Sequence, residues 1–331
     1  MNDISRRAIF QMMAALPVLG ACGAGSPDLR TIPVILDTDI GGDVDDTWAL
    51  YYLLRCPQLD LKLVATEGSA TPYRARLTAR LLELAGRSDV PVSLGPNRDE
   101  WDGPQSGWVG DYQLTDYPGA ILEDGIEAIL SAIEASPEPV TVLSVGPAPV
   151  LAEAIRQRPD VFRNARLIGM FGSINLGYGG AEEPVAEYNV VADPGALRTL
   201  LSAPWQDILL TPLDTCGLIV LDGEDYARVH ESDDPLARAI IENYKTWLPN
   251  VDWMPEGHDP AQRSSTLFDV LAVELAYNES HVEIETLPIT VTDAGMTLID
   301  REGGVPVRCA TSWRDLDGFE EKIARLLTKQ A

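Results

Sequence analysis

From Asp37 to Asp46 the stretch DTDIGGDVDD packs five aspartates into ten residues, directly behind the apolar run PVIL. Carboxylates this dense repel one another, and burying them is costly unless a positive partner compensates. The run could be a solvated acidic loop with no chemistry, but Asp37 and Asp39 close an apolar segment that reads as an interior strand, where solvation is poor. It could be a calcium loop. Counted from Asp37, the residues Asp39, Asp43 and Asp45 fall on ligand positions and Gly42 on the glycine position, yet Trp48 stands where a bidentate glutamate belongs and a strand replaces the entering helix. It could also be the DxD of a magnesium phosphotransferase with a nucleophilic first aspartate. There Gly41 occupies a position usually held by Thr or Val, and no persuasive Lys with an acidic metal pair follows.

The elements that must hold these residues alternate along the chain. Short runs rich in Val, Ile and Leu predict strands at 31–37, 61–68, 90–95, 140–146, 165–172 and 207–213. Helical patterns lie between them at 44–55, 73–86, 121–135, 148–157 and 194–202. Helices follow near 234–247 and 266–277, then a strand-like tail over 282–308 and a closing helix at 314–329. Alternating strands and helices predict an α/β domain with an open, mostly parallel sheet covered on both faces. Ligands of such sheets bind beyond the carboxyl ends of the strands, where Asp37–Asp46, Glu67–Ser69, Gly146–Pro149 and Gly172–Asn175 all fall. No linker divides residues 32–331, so one domain is expected.

A formal net charge of −26 excludes nucleic-acid polymers as natural partners, because their affinity comes from neutralising phosphates with Lys and Arg. A metal cation or a neutral small molecule suits the field better. Residues 1–22 read as an export signal: Arg6 and Arg7 precede an apolar stretch from Ala8 to Leu19 that is too short to span a membrane. SRRAIF resembles a twin-arginine signal, and Leu19-Gly20-Ala21-Cys22 resembles a bacterial lipobox, with Cys22 acylated. A periplasmic or cell-envelope lipoprotein is the expectation, its lipid the one membrane contact, on a flexible tether over 23–31. The remaining Cys56, Cys216 and Cys309 lack metal-binding spacing and leave one disulfide open, without an assignable pairing.

DTDIGGDVDD resembles the aspartate-rich N-terminal motif of the inosine–uridine-preferring nucleoside hydrolase family, in a variant two residues longer than DxDxGxDD. SVGPAPVLAEAI (144–155), PVAEYNVVADPGA (184–196) and STLFDVLAV (265–273) resemble three further segments of that family, in order. The resemblance spans about residues 32–300 and implies a Rossmann-like nucleoside hydrolase fold. It implies a tightly bound Ca²⁺ held by Asp39, Asp46, Asp269 and a backbone carbonyl near Pro149, whose two charges would offset the carboxylate repulsion. The implied reaction is hydrolysis of the N-glycosidic bond of a ribonucleoside, with Asp39 as general base. Asp45, Glu187 and Asn189 would then hold ribose hydroxyls, the last two on one strand face by the spacing of EYN. Homodimers or homotetramers are compatible with the family pattern. Asp43 is expected to cap the helix starting near Val44, and Asp37 to support the loop by hydrogen bonding.

The chain departs from the family pattern at the leaving group. Phe268 stands where many members carry a histidine, which resembles purine-specific members that stack an aromatic on the base; Trp101, Trp108 or Trp253 would complete the stack. His258 is a candidate acid on a nearby loop. Ser69 replaces an Asn, Ala181 interrupts a GN pair, and Asn175 is the candidate substitute. Two other readings stay open here: a ribose- or nucleoside-binding lipoprotein without catalysis, and a haloacid dehalogenase-like phosphatase.

Overall fold

The computed structural model describes residues 31–97 and 100–328. The expected leader over 1–22, its Cys22 and the tether up to residue 30 lie outside the described residues. Within them the strands are β1 (Ile32–Thr38), β2 (Leu59–Thr66), β3 (Val92–Leu94), β4 (Ile121–Leu122), β5 (Val140–Ser144), β6 (Ala165–Gly169), β7 (Ile208–Leu210), β8 (Val282–Val291), β9 (Thr297–Ile299) and β10 (Val305–Trp313). The helices are α1 (Asp45–Arg55), α2 (Thr71–Leu84), α3 (Ser106–Val109), α4 (Gly125–Ala135), α5 (Pro149–Gln157), α6 (Tyr188–Ala192), α7 (Pro194–Ser202), α8 (Gly223–His230), α9 (Pro235–Trp247), α10 (Val270–Leu275) and α11 (Leu316–Leu327), besides short 3₁₀ turns.

The strands join one sheet in the order β4-β3-β2-β1-β5-β6-β7-β10-β8-β9. Pairing is parallel from β4 through β10, and antiparallel where β8 meets β10 and β9 meets β8. Burial explains why the central strands read as unbroken apolar runs. Val34 and Leu36 pack on one face with Trp48, Leu50 and Tyr51, while Ile35 packs on the other with Ile129 and Leu151. Successive side chains point to opposite faces, and each face carries its own helical layer.

Several expectations shift by one turn or more. The helix expected from 121 starts at Gly125, because Ile121 and Leu122 pair with β3 at the sheet edge and Asp124 caps the helix through Glu127 N–H. The helix expected over 266–277 contracts to α10, and the strand expected over 207–213 to β7. The tail folds as β8, β9 and β10 with turns between, and the closing helix begins at Leu316 behind its cap Asp315. The first turn of α1 is not capped by Asp43. That side chain accepts from the adjacent Val44 N–H at 2.6 Å, and Val44, the residue ahead of the helix, has no side-chain cap. Cys56, Cys216 and Cys309 are buried, and the disulfide left open by sequence does not form among them.

Candidate active site

Crossovers run one way from β1 through β2 and β3 and the other way from β5 through β6 and β7, so the connections diverge between β1 and β5. Chain segments leaving neighbouring strands there separate and open a crevice. Asp37 of β1 faces Ser144 of β5 in register, and the Ser144 hydroxyl donates to its carboxylate at 2.9 Å. This is the supporting role expected for Asp37. The segments that follow touch: a side chain on Gly146 would come within 2.8 Å of Asp39 Oδ1 and 2.6 Å of Glu67 Oε1. Only hydrogen fits, which is why glycine stands there. Ala148, next along, holds a left-handed φ of 62° and donates its N–H to Glu67 at 2.5 Å. A non-glycine residue in that region is strained, and such strain concentrates at functional loops.

The loop from Ile40 to Asp43 is gripped by side chains that motif reading did not single out. Four successive backbone carbonyls accept hydrogen bonds. Arg74 donates to Ile40 at 3.0 Å, Tyr73 to Gly41 at 3.2 Å, Trp247 to Gly42 at 2.9 Å and Gln105 to Asp43 at 2.8 Å. Gln105 also accepts from Thr47 in α1, at 3.0 Å. These donors come from α2, the segment before α3, and α9, so no local spacing announces them; Tyr73 and Arg74 read as ordinary residues of an amphipathic helix.

Together these loops wall a cavity of about 1210 Å³. Asp39, Asp45, Asp46 and Asp269 line it, as do Glu187, Asn189 and Phe268. The carboxylates of Asp45, Asp46 and Asp269 come within 4.8 Å of one another, all buried. Asp39 stands outside that trio but close enough that its charge raises the pKa of each. Burial is the larger cause and pushes all four above the usual carboxylate range, most strongly the trio. Asp37 and Asp43 are pushed up to about 7, chiefly by burial. The buried guanidinium of Arg74 acts in the opposite direction on Asp39 and Asp46. Thr38 donates its hydroxyl to Asp46. A set of buried oxygen donors that repel one another fits a hard cation such as Ca²⁺ or Mg²⁺, which carries the missing charge and prefers such ligands.

Glu187 and Asn189 do not share a strand face. Glu187 precedes α6 and caps it, accepting from the N–H groups of Asn189 and Val190, and from Gly172 in the segment after β6. Burial moves its carboxyl up to about 7. Asn189 lies in the first turn of α6 and donates its amide to the carbonyls of Val145 and Met170, each at 3.1 Å. A strand reading failed because the capping bonds of Glu187 favour a helical turn over extension.

Two expected site residues, Pro149 with its backbone carbonyl and Asn175, are not among the residues that line this cavity. Pro149 borders a separate small cavity with Gly68 and Pro96, and Asn175 holds Asp214 through both its backbone N–H and its amide at 2.8 Å. Phe268 meets Tyr178 edge-on at 5.9 Å, in place of a tryptophan. Trp101 meets Tyr73, Trp253 meets Trp247, and Trp108 sits under Arg80. Trp101 and Trp253 nevertheless line the cavity, with Ser69 and His258.

Comparison with known proteins agrees with this geometry. The family model described as inosine-uridine preferring nucleoside hydrolase matches residues 34–321. A pyrimidine-specific ribonucleoside hydrolase RihA of Citrobacter koseri is 28% identical over 318 residues, covering 89% of this chain and 98% of that protein. A protein of the same name from an Enterobacter species is 30% identical over 225 residues, covering 64% of this chain and 69% of its own length. Among solved structures, a plant nucleoside hydrolase superposes with a TM-score of 0.73 at 21% identity, covering 90% of this chain and 98% of that one. A purine-preferring ribonucleoside hydrolase from Gardnerella vaginalis gives 0.68 at 21% identity, covering 89% and 99%.

Proposed function

The chain belongs to the inosine-uridine preferring nucleoside hydrolase family and is a ribonucleoside hydrolase, and from that premise we propose that Ca²⁺ is its metal and purine ribonucleosides are its preferred substrates, cleaved to ribose and free base. The observation that carries the metal assignment is that Asp269, from the far end of the chain, meets Asp45 and Asp46 within 4.8 Å. Asp46 and Asp269 would hold the cation with Asp39, and Asp45 would bind the sugar. When bound, the cation offsets the carboxylate charge and supplies Lewis acidity. Asp39 accepts the proton of the attacking water as general base. Glu187 and Asn189, on the same cavity wall, hold ribose hydroxyls. The anionic pocket favours the positive charge that develops on the sugar ring in an oxocarbenium-like transition state.

Purine preference rests on the aromatic border of the cavity, where Phe268, Tyr178, Trp101 and Trp253 offer rings on which the larger purine base would stack. The names of the bacterial relatives favour pyrimidines as the second reading. Base release from inosine, guanosine, uridine and cytidine decides between them. Chelator-treated protein is expected to be inactive, with activity restored by Ca²⁺ and kcat/KM higher for inosine than for uridine. Activity indifferent to chelation overturns the metal assignment, and faster turnover of uridine overturns the base preference. Export as a lipoprotein anchored through Cys22 is part of the proposal, supported by the signal pattern of residues 1–22. In cells, Cys22→Ala is expected to move the protein from the membrane fraction to the soluble one.

A further inference from the structure

Cleaving a ribonucleoside needs two proton movements. Water must lose one as it attacks the sugar, and the departing base must gain one. The carboxylates account for the first. For the second, the residue before Asp269 is Phe268, whose ring has no proton to give. The segment between α9 and α10 forms another wall of the same cavity, and it carries His258.

The imidazole is not loose. Its Nε2 is hydrogen-bonded to the hydroxyl of Tyr244, and the His258 backbone N–H donates to Pro255 at 3.1 Å. Tyr244 is in turn fixed to the wall that holds the aspartates. Its ring meets Trp48, two residues beyond Asp46, edge-on at 6.5 Å. It also lies against Trp247 at 5.9 Å, whose indole N–H holds the Gly42 carbonyl. The Tyr244 hydroxyl donates to the Arg263 carbonyl at 3.3 Å. Its oxygen then accepts Nε2–H of His258, which leaves Nδ1 as the ring nitrogen able to exchange a proton with a ligand.

Resting on the hydrolase reading above, we propose that His258 is the general acid that protonates the departing base, with Tyr244 as the residue that positions it. The C1′–N bond breaks with its electron pair passing to the base. The Nδ1 proton of the imidazolium goes to a ring nitrogen of that base, water adds to C1′, and Asp39 takes the proton that water loses. His258 regains its proton from solvent and Asp39 returns one, so the cycle closes without a further reactant.

The groups facing His258 set its pH range. Burial and Arg263 hold the imidazole below its usual pKa, and Asp259 opposes them. Tyr244 faces it from α9, and Asp43 of the aspartate loop lies beyond that tyrosine. The acidic form is therefore disfavoured relative to a free imidazole, and turnover of nucleosides is expected to fall as pH rises through the lowered pKa of His258.

The test compares inosine with 4-nitrophenyl β-D-ribofuranoside, whose nitrophenolate departs without protonation, on the calcium-loaded protein. His258→Gln is expected to lower kcat for inosine about 100-fold and to leave the nitrophenyl riboside within about 3-fold of wild type. Tyr244→Phe is expected to lose less on inosine and to shift the histidine-dependent limb of the pH profile, which His258→Gln abolishes. Equal losses on both ribosides, or an unchanged rate on inosine, overturn the assignment while leaving the hydrolase reading intact. A wild-type protein inert toward both ribosides overturns the two together.

Discussion

Asp39 and Asp269 illustrate how a residue's role depends on its neighbours. Each is a carboxylate that water would keep ionised at acidic pH, yet burial raises both, and for Asp269 the neighbouring aspartates add to the rise. A cation makes the ionised form tolerable, so the same side chains are destabilising without metal and useful with it. Asp39→Asn is expected to lower kcat by roughly 1000-fold, as loss of a general base does, with the fold retained. The variant removes one repelled charge, so the chelator-treated form is expected to melt above metal-free wild type; kinetics and a thermal melt in chelator check the two outcomes. Asp39 and Asp46 were legible from sequence because acids in that spacing are hard to explain otherwise, whereas Asp269 was legible only through the resemblance of STLFDVLAV to a segment of the family. Arg74, Tyr73, Gln105 and Trp247 were not, because a side chain that grips a distant carbonyl leaves no mark in the local pattern. Phe268 was legible as a departure, but its partner Tyr178 lies on a loop whose position no spacing specifies.

At the scale of elements, the aspartate loop is held from three directions, and its stiffness is a property of the donors more than of the loop. Gln105 is buried and joins the Asp43 carbonyl to Thr47 of α1. Gln105→Leu keeps similar bulk and leaves both partners unsatisfied, at about 1–3 kcal/mol per buried polar group. Outer contacts of this kind tune metal affinity, so calcium binding is expected to weaken about 10-fold, read by calorimetry, with α1 still formed. Gly146→Ala tests the contact between the loops after β1 and β5. Its methyl would press on Asp39 and Glu67, and a less stable protein with reduced kcat is the expected outcome in melts and turnover assays. Most strands and helices were legible, since unbroken Val, Ile and Leu runs alternate with amphipathic stretches. α6 was missed, because its five residues are fixed by the capping bonds of Glu187 and the amide of Asn189 more than by any apolar period.

For the whole molecule, the buried acids predict how stability follows pH. Asp37, Asp43 and Glu187 sit at about 7 in the fold, raised from ordinary values of 3.8 and 4.5, and burial is the leading cause for each. A folded-state pKa above the unfolded one means that the stabilising contribution is complete below the unfolded value and lost as pH climbs through the folded value. The metal-free protein is therefore expected to melt at lower temperature at pH 8 than at pH 5. Added Ca²⁺ binds the ionised site and raises the melting temperature more at pH 8, following the linkage between ligand and folded state; scanning calorimetry over this range checks both. The sequence by itself determined the alternating α/β architecture, the acidic run after the first strand and the chemistry of its ligands, because periodicity and residue type are local properties. Only the tertiary structure decided that Asp269 reaches Asp45 and Asp46, that Pro149 borders a second cavity while Asn175 holds Asp214, and that His258 pairs with Tyr244. Those outcomes depend on where the connections diverge between β1 and β5 and on how the long segments over the crevice pack, and packing between residues distant in the chain is a property of the whole fold.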